Sequence, residues 1–163
     1  MLVNLLDKRN FFIQIFIIVL FFALGATNFN SINLSDLEKI GVFLILLTIG
    51  FVGYIDRTND LISTTSYPTF FYILWIMPFI AELSDYRIAG SLLLITYITA
   101  QLLYFESEKN DVYNAFDIGL FLSFAVLLSP PLIILAGVVF FYFLTLRSVE
   151  PKIPILGILG FLV

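Results

Sequence analysis

The chain has 163 residues, 61% of them hydrophobic and 12% charged, with a mean hydropathy of +1.06 and a formal charge of -4. That balance excludes an ordinary soluble domain, and the lack of any Lys/Arg cluster argues against nucleic acid as a partner. With no Cys and no His, it also excludes disulfides, thiolate nucleophiles, imidazole acid-base chemistry, histidine-ligated haem and the usual zinc sites, so neither a cofactor nor a metal is expected.

Lys8 and Arg9 before an apolar run imitate a secretory leader. Asp7 and the further apolar runs argue instead for an uncleaved first span over about 11–26, with Gln14 its one polar side chain. Ser35 and Glu38 then have the spacing of a capping box and open span two, about 37–55, where Gly41, Gly50 and Gly53 would permit close helix approach. Pro68 suits the first turn of span three, about 68–83, and Pro78 should kink or break that helix. Span four, about 88–105, carries Ser91, Thr96, Thr99 and Gln101.

From Val112 to Leu146 the chain is apolar for 35 residues. As one helix it would be about 52 Å long, against a hydrocarbon core of ~30 Å, so it must turn. Ser129 is an able N-cap and Pro130 suits the first helical position, which divides the stretch into spans of about 112–128 and 131–146. A re-entrant pair is the alternative. Residues 154–163 are apolar but too few to cross, and are expected to begin a seventh helix or to form a short tail packed on the bundle. The expected fold is a single all-α domain, a polytopic transmembrane bundle with six complete spans and the start of a seventh.

Alternating these spans with the N-terminus in the cytoplasm puts Lys8, Arg9, Arg57, Lys109, Arg147 and Lys152 inside and only Lys39 and Arg87 outside. The excess of inside positive charge favours this orientation in an inner membrane. Tyr54, Tyr67, Tyr86, Tyr104, Tyr113 and Tyr142 fall near the span ends, as an interfacial belt requires.

At 100° per residue, Ala115, Gly119 and Ser123 line one face of span five, while Asn114, Asp117 and Phe121 lie on the other. Asp117 would sit roughly 8 Å inside the cytoplasmic edge, where a carboxylate costs a few kcal/mol unless it is partnered, protonated or wetted. Gln14 and Gln101 fall at a similar depth, so Asp117, Asn114, Gln101 and Gln14 form a candidate intramembrane polar cluster that either fixes packing or contacts an ion, proton or substrate. Asp36 and Glu38 form a candidate external acidic pair, of a kind that membrane glycosyltransferases use to hold a metal and a lipid phosphate. The capping box is the structural account of Ser35 and Glu38.

Around FDIGLFLSFAVLLSPP, on Phe116, Asp117, Gly119, Ala125, Leu127, Pro130 and Pro131, the sequence resembles an uncharacterised, domain-of-unknown-function family of polytopic inner-membrane proteins from Bacteroidetes. Arg147 also fits, whereas the SVEPKIP that follows departs from the family's pattern. The resemblance implies a longer protein and transfers no activity. Three functions remain open: a non-enzymatic accessory or assembly subunit of an envelope complex, with the bilayer and other membrane proteins as partners; part of a polyprenol-dependent glycosyltransferase or glycan polymerase; or a small transporter.

Overall fold

The computed structural model describes residues 35–58, 67–76, 79, 85–104, 111–145 and 152–163, and these residues are helical or connect helices, with no strand among them. The helices, numbered over the described residues, are α1 (Asp36–Thr58), α2 (Tyr67–Ile76), α3 (Tyr86–Tyr104), α4 (Asp111–Leu128), α5 (Ile133–Thr145) and α6 (Lys152–Leu162), with a 3-10 turn at Pro130–Leu132 before α5. Two of them, over Asp36–Ile55 and Tyr86–Leu103, are long and apolar enough to cross a membrane, while the apolar helices at Tyr113–Leu128, Pro130–Thr145 and Lys152–Leu162 are shorter. The expected span over 11–26, and Gln14 with it, lies outside the described residues. The chain divides after Ala89 into two compact units.

In the first unit, α1 begins with the capping box its sequence spells. The Ser35 N–H and hydroxyl donate to Glu38 Oε2 at 2.7 and 2.9 Å, and the Glu38 N–H returns to Ser35 Oγ at 3.4 Å. Orphan amides of the first turn are thus satisfied without a neighbour. Ser35→Ala should cost about 1 kcal/mol, measured by unfolding in micelles. The inward face of α1 carries Gly41, Ile45, Thr48, Ile49 and Gly53, and α2 packs on α1 with Thr69, Ile73 and Ile76 buried. Thr48 Oγ1 donates to the Leu44 carbonyl at 2.8 Å, so its hydroxyl is buried at no loss of hydrogen bonding.

Gly50 does not share the face of Gly41 and Gly53. It is exposed, and a Cβ added to it would meet nothing within 4 Å. At 100° per residue Gly50 lies about 140° round the helix from Ile45, near the middle of the buried face, whereas Gly41 and Gly53 lie within about 80° of it. Pro78, where the third span is expected to kink or break, lies outside the described residues.

The second unit is built on α4. Its buried face carries Ala115, Ile118, Leu122 and Ala125, which pack with Ile98 of α3, Ala136, Val139 and Phe143 of α5, and Ile153 of α6. The α6 helix lies between α4 and α5 and makes its main contact with α4. A Cβ on Gly119 would collide with the Gly157 carbonyl oxygen and reach within 3.0 Å of the Phe161 amide nitrogen. One on Gly160 would collide with the Phe116 carbonyl oxygen and come 3.1 Å from the Leu120 amide nitrogen. Backbone therefore touches backbone on both helices, the geometry in which small residues allow close packing and weak Cα–H···O contacts. On its other side Gly157 meets the ring of Phe143, and Phe161 meets Phe140 edge to face at 5.7 Å. Pro154 sits in the first turn of α6, where its missing N–H costs nothing.

Ser129 adopts the extended backbone of an N-cap, with φ -140° and ψ 94°, but its hydroxyl makes no capping bond. The prolines explain why. Pro130 and Pro131 have no N–H to cap, and the Leu132 N–H is already taken by the Ser129 carbonyl at 3.0 Å. The turn is therefore held by backbone and proline geometry. In contrast to Ser35→Ala, Ser129→Ala should change stability by less than about 0.5 kcal/mol in the same measurement.

Candidate functional site

The candidate site is the outward face of α4. Tyr113, Asp117, Phe124 and Leu127 are exposed along it, at positions that fall within about 80° of the helix circumference. Asp117 is the single charged residue between Val112 and Thr145. Within its unit it forms no hydrogen bond or ion pair with the described residues. Its side chain is exposed on the helix surface.

Of the expected polar cluster, Asn114 and Gln101 are not hydrogen-bonded to it, and Gln14 lies outside the described residues. Asn114 is half-buried beside it on the helix, and no hydrogen bond connects the two among the described residues. Gln101, also half-buried, donates through Nε2 to Tyr97 Oη at 2.9 Å, one turn earlier on its own helix. A partner at i-4 is always within reach of a glutamine amide, whereas a partner on another helix depends on how the helices pack. Tyr97 in turn sets its ring edge-on against Phe121 of α4, with centroids 4.7 Å apart. Tyr97 thus couples Gln101 to α4 by packing; the i, i+4 spacing carries the Tyr97–Gln101 bond, and the contact with Phe121 depends on how the helices pack.

The acidic pair at the start of α1 is engaged locally. Glu38 is held by Ser35, and Asp36 pairs with Lys39 at 2.8 Å. The hydrogen bond and charge of Lys39 hold the Asp36 carboxyl below its ordinary range. At the start of α3, the Asp85 carboxylate accepts the Arg87 N–H at 2.9 Å, and the Arg87 guanidinium lies over the Tyr86 ring with Nε 3.1 Å from its hydroxyl. Among the described residues no three His, Cys, Asp or Glu side chains come together as a metal would need.

The site thus consists of one carboxylate in an apolar, outward-facing stripe, with the buried side of α4 packed against α3, α5 and α6. The match to a family model runs from residue 1 to residue 163. The chain belongs to DUF6427, a family of unknown function. No curated protein and no solved structure matches it.

Proposed function

We propose that the protein is a non-enzymatic accessory or assembly subunit of a bacterial envelope complex, and that the outward face of α4 is where it meets its partners. In this reading it is a polytopic inner-membrane bundle of six spans, with its N-terminus in the cytoplasm, in a bacterium of the Bacteroidetes as the sequence resemblance implies. The observation that carries it is the exposure of Asp117 among Tyr113, Phe124 and Leu127. In hydrocarbon an ionisable side chain is costly, and such groups are ordinarily paired or wetted. On a face that would otherwise meet lipid, a docked protein supplies what the carboxylate lacks.

The outward faces of the other helices support the membrane setting. On α5 they are Ile133, Ile134, Val138, Phe141 and Leu144, while Thr48, Thr69 and Ser91 are among the buried residues. Large apolar groups outside with small hydroxyls inside is an arrangement that lipid stabilises and water does not.

Native electrophoresis of gently solubilised membranes tests the function. The wild-type chain should migrate in an assembly with other proteins, and Asp117→Leu should release it while its level in the membrane is unchanged. Migration of the wild type as a lone chain would overturn the reading. Reporter fusions test the topology: those at Asp60 and Lys109 should report cytoplasm and one at Asp85 the outside, and the inverse pattern would reverse the orientation.

A further inference from the structure

We propose that the occupant of the α4 face is a transmembrane helix of another protein that carries a lysine or arginine at the depth of Asp117. The inference rests on the subunit reading above and specifies the partner's chemistry.

Four observations lead to it. Asp117 lies six residues into α4, so about 9 Å from the start of the helix, too deep for a short side chain to reach bulk water easily. A carboxylate accepts hydrogen bonds and donates none, so its partner has to be a donor, and only a cation also cancels its charge. The described residues of its unit offer no cation to it. The surrounding stripe is spaced for a helix, because Tyr113, Asp117, Phe124 and Leu127 follow one another at four, seven and three residues, the repeat along which two helices pack at a shallow angle.

Electrostatics decides between the possible helices. A second copy of this chain would dock through the same patch on both subunits, inserted in the same direction, and would bring two Asp117 carboxylates to the same depth on facing helices. Like charges so placed repel, most strongly where water is scarce. An uncharged apolar helix would cover Phe124 and Leu127 but leave the carboxylate desolvated and unpaired. A single basic residue removes both costs.

The experiment uses the full chain reconstituted into phosphatidylcholine/phosphatidylglycerol vesicles with three synthetic Leu/Ala transmembrane peptides. The peptides differ only in carrying Lys, Leu or Glu about 9 Å inside one end. Association is read by energy transfer, and its location by a photo-crosslinker replacing Leu127. The Lys peptide should bind roughly 5- to 30-fold tighter than the Leu peptide, the range that one interhelical polar contact gives in model helices. The Glu peptide should bind no better than Leu. Asp117→Leu should abolish the preference, and Asp117→Asn, which keeps the shape of the side chain, should reduce it to within about twofold. Equal binding of Lys and Leu peptides with crosslinking at Leu127 would overturn the charge pairing and leave the subunit reading standing. A Leu127 crosslink to the chain's own N-terminal half, or to a second copy, would overturn the proposed occupant. Native electrophoresis of the wild type as a lone chain would remove the reading on which the inference rests.

Discussion

Gly119→Leu is expected to displace α6 from α4 and to destabilise the second unit by at least about 3 kcal/mol, the upper end of overpacking costs. The new side chain would meet the Gly157 carbonyl oxygen and the Phe161 amide. These are backbone atoms of a helix, so no rotamer change relieves the clash, and the whole helix has to move away. Moving it would also strip Ile153 from the core and open the packing between Phe140 and Phe161. Hydrogen exchange in nanodiscs measures this directly: the amides of Lys152–Leu162 should lose protection in Gly119→Leu, and also in Gly160→Leu. Gly50→Ala and Gly137→Ala serve as controls, because a Cβ at either position meets nothing within 4 Å. Both should be neutral or slightly stabilising, since alanine favours helix over glycine. Unchanged protection of α6 in Gly119→Leu would show that the backbone contact does not hold the helix.

Phe143→Ala should be nearly as damaging, at about 3–5 kcal/mol. Phe143 is 1% exposed and is the largest fully buried side chain among the described residues. Its ring lies 3.0 Å from where a Cβ of Gly157 would be, so it fills the space that the missing side chain leaves. Truncating it creates a cavity between α5 and α6 that α6 cannot collapse to fill while its other side rests on the α4 backbone. Phe143→Leu, which keeps most of the volume, should recover more than half of the loss in the same unfolding measurement. A loss below about 1 kcal/mol for Phe143→Ala would mean that the core closes up and that α6 is not wedged as described.

Local features of this fold could be read from the residues. Ser35 and Glu38 form a capping box because the two partners are three residues apart, and no other part of the chain has to be in place for them to meet. The small face of α4 could be read from the spacing of Ala115 and Gly119, both buried, although Ser123 is only half-buried and Leu122 and Ala125 complete the face. Ser129 is not a side-chain cap for a reason that is also local: two consecutive prolines leave it no free amide to bond. Gly50, unlike Gly41 and Gly53, faces outward, because it lies about 140° round the helix from the buried Ile45.

The candidate site was less legible. The depth of Asp117 and Gln101 suggested a shared cluster, but depth does not fix direction around a helix. Gln101 turns to Tyr97 on its own helix, and Asp117 faces outward.

Helix, cap, turn and the small-residue face of α4 follow from the order of residues, because each depends on neighbours within about one turn. Tertiary structure decided that α6 is what fills that face and that Asp117 lies on the exposed side of α4. In a chain this apolar the hydrophobic pattern cannot make that choice, because leucine or phenylalanine is stable against lipid and against protein alike. Only the fit of one backbone against another, Gly119 on Gly157 and Gly160 on Phe116, separates the two, and that fit exists only once the helices have come together.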